Sequence, residues 1–188
     1  MIAVVGRIGT GPAVEIARRA AARGAATELI AKVPDGPDGD RRLLELAAAG
    51  VGHAAAQRAG AAALEAADLQ LALRYLPDLR VVVLAGDSAA LALTAAEAAA
   101  WASATLIIVT DADLAPEVPG AIVLEGPAND PDGAFAGLVA ALAVRLEAGE
   151  DSARAWRHVT ADLLVDEVSR SSARGPGSVR GSDPGRQG

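Results

Sequence analysis

A glycine-rich turn near the beginning of the chain joins an apolar run to an amphipathic segment, and this arrangement limits the possible folds most strongly. Residues 2–5 (IAVV) are apolar, mostly β-branched and followed by Gly6, which predicts a buried strand. Pro12 suits the first turn of a helix, here predicted over residues 13–23, and residues 29–33 predict a second strand. A strand, a helix and a strand in this order are typical of a parallel sheet, so the unit predicts an α/β fold.

Strands and helices continue to alternate along the chain. Strands are predicted at residues 79–85, 105–109 and 121–124, with a weaker one at 51–57, and helices at residues 66–76, 89–101, 133–146 and 152–168. Apolar runs such as LRVVVLA and TLIIV predict strands covered on both faces. The expected fold is therefore one α/β domain, residues 1–169, built as a three-layer αβα sandwich around a mostly parallel sheet.

Two further segments are predicted from turn and low-complexity composition. The loop at residues 34–40 is rich in Pro, Gly and Asp and precedes a helix that Asp38 or Asp40 caps and that ends at Gly50. Residues 86–88 predict a turn between a strand and a helix. Residues 170–188 consist mostly of Ser, Gly, Arg and Pro, which predicts a disordered tail.

Composition and charge argue against several classes of function. The 188 residues carry a net charge of −7 and only 2% aromatic side chains, which disfavours binding to nucleic acid. There is no cysteine, and no apolar run is long enough to span a membrane. We therefore expect a cytoplasmic protein that interacts with neither nucleic acid nor membrane and has neither covalent nor zinc chemistry.

The glycines of the turn allow three interpretations. Exposed N–H groups at a helix start suit an anion such as phosphate, and glycine leaves them accessible. Gly6, Gly9 and Gly11 between a strand and a helix also suggest a Rossmann-type site for NAD or NADP, although their spacing is G-x-x-G-x-G and Asp35 comes late for the acidic ribose partner. In the third interpretation these glycines only permit a tight turn and close packing.

Residues 9–51, which end in Ala-Gly-Val, and residues 132–159, which contain AFAG, together resemble the ribokinase-like (PfkB) carbohydrate kinase family. Residues 9–51 resemble the family's segment from the glycine pair to the helix that ends in Ala-Gly-Val. Residues 132–159 resemble its signature and the following helix, with AFAG retained at residues 134–137. The resemblance implies a ribokinase-like or Rossmann-like fold, a sugar or nucleoside substrate, and ATP with Mg²⁺ as cofactors of an active kinase. It also implies substrate contacts, which are expected at Gly9, Gly11, Glu15, Asp35 and Gly39.

The departures from this family predict impaired catalysis. Gly133 stands where the family has its catalytic aspartate, and Asp130 and Asp132 stand where it has anion-binding glycines. The resemblance therefore places nucleotide or anion contacts at Asp130, Gly133 and Gly137, with Asp132 as a base shifted by one residue. No room is left for the family's lid, and residues 110–113 (TDAD) replace its nucleotide loop. These differences predict a lidless pseudoenzyme that retains at most small-molecule binding.

Other candidate features give weaker predictions. The acidic loop around Asp35 is interpreted as a solvated turn in preference to a cation site, and His53 and His158 share no evident site. Trp101 and Trp156, on predicted helices, are expected to be core or interface anchors. A non-catalytic subunit or scaffold is the remaining functional hypothesis. Without a lid, self-assembly into a homo-oligomer would use another surface, such as the alanine-rich helix face at residues 89–102.

Overall fold

The computed structural model describes residues 1–9, 11–58, 63–85, 89–110 and 118–173. The strands are β1 (Ile2–Gly6), β2 (Thr27–Ile30), β3 (Lys32–Val33), β4 (Gln57–Arg58), β5 (Val81–Ala85), β6 (Thr105–Thr110) and β7 (Ile122–Glu125). The helices are α1 (Ala13–Ala22), α2 (Pro37–Ala48), α3 (Ala66–Arg74), α4 (Ala89–Ala102), α5 (Ala134–Glu147) and α6 (Ser152–Ala173).

Five strands form the main sheet in the order β2-β1-β5-β6-β7, and every neighbouring pair is parallel. Strands β3 and β4 form a separate parallel pair of two residues each. Because parallel neighbours need crossover connections, helices lie between β1 and β2, between β2 and β5 and between β5 and β6. The predicted α/β class with a mostly parallel sheet is confirmed.

Helices cover both faces of the sheet, which gives the predicted three layers. Ile2 and Val4 pack into a core with α1 and α5, whereas Ala3 and Val5 pack into a second core with α3 and α4. This division follows from the two-residue period of a strand, which turns successive side chains to opposite faces. Helix α6 packs against α5 on the outside.

The predicted strand at residues 29–33 is divided into two. Strand β2 begins earlier, at Thr27, and ends before Ala31, after which β3 leaves the main sheet. Thr27 and Glu28 are buried, and a Glu28 carboxylate oxygen accepts the Ala55 N–H at 3.0 Å. A search for apolar runs misses the beginning of this strand, because its first two side chains are polar and are buried with hydrogen-bond partners. The weak strand at residues 51–57 is reduced to β4 and an isolated bridge at Gly52.

The predicted beginning of α2 was wrong. Helix α2 begins at Pro37 with Gly36 as its N-cap, and no side chain caps it, so Asp38 and Asp40 lie within the first turn. Proline at the first helical position has no N–H to leave unpaired, which explains the earlier start.

Neither tryptophan is a core residue, so that part of the prediction was also wrong. Trp101 is 82% exposed and Trp156 is 40% exposed. At the carboxyl end, α6 continues to Ala173, into the segment predicted as a tail. The remaining residues of that segment, 174–188, and the predicted turn at residues 86–88 lie outside the described residues.

Candidate functional site

A cavity of about 510 Å³ lies at the carboxyl ends of β1, β5, β6 and β7. The strand order reverses at β1: the chain passes from β1 to β2 on one side of it, and later returns to β5 on the other side. In open α/β sheets, ligands bind outside the carboxyl ends of the strands at such a switch in strand order. The volume is within the range typical of small-molecule pockets. The cavity is therefore the candidate functional site.

Polar side chains lie around one apolar wall of the cavity. Its lining includes Arg7, Glu15, Thr110, Asn129 and Asp130 as polar residues, with Phe135 on the apolar side. Thr110 is buried at the end of β6, whereas Arg7 and Asn129 are exposed. Cationic, anionic and neutral polar side chains therefore line the same small cavity, and together they supply hydrogen-bond donors and acceptors. Such a lining suits a ligand that carries several hydroxyl or amide groups.

The glycine turn brings the backbone close to its neighbours at the cavity mouth. A Cβ atom on Gly6 would lie 2.4 Å from the Ala13 Cβ and 2.6 Å from the Ala85 carbonyl oxygen, so only glycine fits there. Gly11 has a φ of +82° with open space around it and lines the cavity. Gly9, at φ +100°, lies beneath the Arg42 guanidinium group. The turn therefore combines a packing requirement at its first glycine with an accessible backbone at its last.

The N-terminus of α5 already holds a carboxylate. Asp130 accepts hydrogen bonds from the backbone N–H groups of Phe135, at 3.2 Å, and Ala136, at 3.0 Å. These donors have no partner within the helix, and a negative charge here interacts favourably with the helix dipole. Gly133 precedes the helix at φ +64°, and its N–H bonds the Asp130 carbonyl at 3.1 Å. Asp130 is thus an intramolecular anion in a position where an external anion would otherwise be attracted.

Arg19 connects α1 to the start of α5. Its Nε donates to Glu15 at 2.6 Å, and its Nη2 donates to the Asp132 carbonyl at 3.0 Å. The guanidinium group lies against Gly133 and Gly137, where an added Cβ would be 2.5 Å and 3.3 Å away, respectively. The absence of side chains at these two glycines is therefore explained by the packing of Arg19.

The structure brings some of the predicted site residues together and separates others. Gly11, Glu15, Asp130 and Gly133 line the cavity. Asp132 and Gly137 line a different groove, between α1, α5 and α6. Gly9 contacts Arg42, Asp35 is exposed after β3, and Gly39 is buried in the first turn of α2. A Cβ on Gly39 would lie 1.9 Å from the Pro34 carbonyl oxygen, so close packing accounts for this glycine.

Sequence reasoning did not single out Arg7, Thr110 or Asn129 as site residues. Arg7 follows β1, Thr110 ends β6, and Asn129 is in the loop after β7. The carboxyl ends of parallel strands meet at one edge of a sheet, so polar residues directly after predicted strands would have been the signal.

The Rossmann-type alternative needs an acidic residue at the end of the second strand. Strand β2 ends at Ile30, which is followed by Ala31. Asp35 comes two residues after β3, outside the cavity lining. The described strands therefore carry no acidic side chain at the position where a dinucleotide ribose would be bound.

The described residues contain neither a metal-binding cluster nor a helix that could cross a membrane. Within those residues, no group of three or more His, Asp or Glu side chains is arranged to hold a metal ion. None of the helices in the described part of the chain combines the length and apolar character needed to cross a membrane.

Comparisons with known proteins show likeness in structure alone. No protein-family model matches the chain, and no curated protein sequence matches it. The crystal structure of Sa239 is similar, with a TM-score of 0.56 and 12% identity over 82% of this chain and 86% of that one. An uncharacterized sugar kinase PH1459 from Pyrococcus horikoshii gives a TM-score of 0.44 and 14% identity over 60% of this chain and 54% of that one. A putative ribokinase from Agrobacterium tumefaciens gives 0.45 and 15% over 82% and 84%, respectively. At 12% identity, the likeness to Sa239 shows a shared fold alone.

Proposed function

We propose that this chain is a catalytically impaired relative of the ribokinase-like carbohydrate kinases, one that binds a small sugar or nucleoside in the cavity without transferring phosphate. The two segments that resemble the family are far apart in the chain. In the fold they meet at one site, because Gly11 and Glu15 from the first segment line the same cavity as Gly133 and Phe135 from the second. This convergence supports a family-like ligand site at the carboxyl edge of the sheet.

The observation that carries the proposal is the Asp130 carboxylate on the first N–H groups of α5. The family resemblance puts its anion-binding glycines at this point of the sequence. A phosphoryl group there would meet a carboxylate instead, and two unit charges about 4 Å apart repel by about 4 kcal/mol at an effective dielectric constant of about 20. The same N–H donors are already engaged, so they cannot stabilise a transferring phosphoryl group.

The residue suggested as a shifted base supports the same conclusion. Asp132 lines the groove between α1, α5 and α6 together with Arg19, and the cavity lining does not include Asp132. General-base catalysis requires a carboxylate within hydrogen-bond reach of the substrate hydroxyl. A ligand in the cavity is therefore out of reach of Asp132 as a base, so the protein binds the ligand there without phosphorylating it.

The first experiment measures binding by thermal shift with ribose, adenosine, ATP plus Mg²⁺, and NAD. A ligand at about 100 times its dissociation constant stabilises by about 2.7 kcal/mol, which raises the midpoint by about 5–10 °C for a chain of this size. We expect a shift with ribose or adenosine that Arg7→Ala abolishes. Arg18→Ala is the matched control, because Arg18 is an exposed arginine of α1 that is not part of the cavity lining.

The second experiment measures ADP release and sugar phosphorylation with the same compounds. We expect no turnover above the rate without enzyme. ATP-dependent phosphorylation that Asp132→Ala abolishes would refute the proposed impairment. The absence of a thermal shift with both ribose and adenosine would refute the proposed binding, and a shift with NAD alone would favour the dinucleotide alternative.

A further inference from the structure

The outer faces of α3 and α4 expose several large apolar side chains. Trp101 is 82% exposed and Tyr75, directly after α3, is 79% exposed. Leu93 on α4 is 63% exposed and Leu71 on α3 is 53% exposed. Single exposed apolar residues are normal on a monomer, but these four come from two helices that pack side by side in one layer. The two helices therefore present an apolar face to solvent.

A groove of about 590 Å³ lies between α3 and α4 on this side of the protein. Its apolar lining comes from Leu73, Leu76, Ala98 and Trp101. Glu97 precedes Trp101 by four residues and follows Leu93 by four, so the three share one face of α4.

Charges of both signs border the groove. Arg74 on α3 and Glu97 on α4 both line it, together with Asp78 and Arg80. In the part of the chain that the structure describes, neither the Arg74 nor the Glu97 side chain forms a hydrogen bond or a salt bridge. A balanced pair of this kind is self-complementary, because a two-fold axis places each arginine opposite the glutamate of the other copy. Such local balance also limits the repulsion between copies that each carry a net charge of −7.

We propose that the α3–α4 face is a homodimer interface, in which a second copy of this chain packs across a two-fold axis with Arg74 opposite the partner's glutamate at the equivalent of position 97. The area is adequate for this. At about 80% exposure, Trp101 and Tyr75 together present roughly 250–400 Å². That is about a third to a half of the roughly 800 Å² that each partner contributes to a standard interface. Leu71 and Leu93 enlarge the apolar centre, and the charged pair forms its rim.

The test is the mass of the full chain in solution, measured by light scattering up to about 100 μM and by fluorescence-detected sedimentation down to about 1 nM, because dissociation constants of standard-sized interfaces extend from micromolar to well below it. We expect a dimer, and a dissociation constant raised about 30-fold or more by Trp101→Ala, as for an interface hot spot. Trp156→Ala is the matched control, because Trp156 is also a partly exposed tryptophan but belongs to α6. Far-UV circular dichroism checks that both variants fold.

Charge exchange tests the proposed geometry. Arg74→Glu and Glu97→Arg each place like charges opposite one another in the dimer and should weaken it about tenfold, whereas the double variant restores the attraction. A purely structural role of either residue would not produce this rescue. A wild-type monomer throughout the concentration range would overturn the proposal. So would a dimer that Trp101→Ala leaves intact, or one that Trp156→Ala disrupts equally.

Discussion

Replacement of Asp130 by alanine should lower stability measurably, because its carboxylate holds two N–H groups at the start of α5. Loss of a side-chain cap costs about 1 kcal/mol, and loss of a negative charge at a helix N-terminus costs about 0.3–1 kcal/mol. With a second hydrogen bond removed, the expected loss is about 2 kcal/mol, or a midpoint lower by about 4–8 °C. Asp130→Asn keeps one acceptor oxygen and should lose about 1 kcal/mol.

Urea denaturation followed by circular dichroism measures these differences directly. Asp132→Ala is the matched control, because Asp132 is exposed and only its carbonyl, bonded by Arg19, has a partner among the described residues. We expect this control to remain within about 0.5 kcal/mol of wild type. Inorganic phosphate should stabilise Asp130→Ala more than wild type, since the freed N–H groups can then accept an external anion. Equal stability of the two alanine variants would refute the capping role of Asp130.

Three further predictions test the packing and electrostatics. Gly39→Ala should destabilise by about 3 kcal/mol in urea titration, because its Cβ would overlap the Pro34 carbonyl; a wild-type midpoint would contradict this. Gly133→Ala should cost about 1–2 kcal/mol because alanine must adopt φ +64°, and its Cβ must also displace the Arg19 guanidinium group, which it would meet at 2.5 Å; an unchanged urea midpoint would contradict this. Lys32, 2.7 Å from Asp68, holds the pKa of that carboxyl below its ordinary 3.8. Because the folded pKa is depressed, this pair stabilises fully above pH 3.8 and less as the pH falls through the folded value. Urea midpoints of wild type and Lys32→Met should therefore converge at acid pH; a constant difference would rule out the linkage.

Local patterns were sufficient to predict most of the fold. Apolar β-branched runs predicted β1, β5 and β6. Pro12 at the start of a helical pattern predicted α1, and the helical pattern at residues 133–146 predicted α5, each to within one residue at either end. These signals work because the spacing of apolar residues that distinguishes a strand from a helix is visible within a short stretch of sequence. They failed at β2, whose first residues are polar but buried, and at α2, where Pro37 begins the helix ahead of the expected caps.

The candidate site could be predicted only in part. The sequence identified the glycine turn and the start of α5 as separate ligand-facing features, and the fold brings both to one cavity at the carboxyl edge of the sheet. It could not show that Asp130 reaches the N–H groups of α5 while Asp132 lies in a different groove. The two aspartates are only two residues apart in the same loop, and the path of the backbone alone directs their carboxylates to different sites.

The sequence by itself determined the class of fold, since the order of buried strands and helices is encoded locally and nearly requires a parallel sheet. Only the tertiary structure decided which distant residues share a cavity and which glycines are needed for packing. It also decided that Trp101 lies on the surface and not in the core. The physical reason is that these properties depend on contacts between segments far apart in the chain, and residue periodicity carries no information about such contacts.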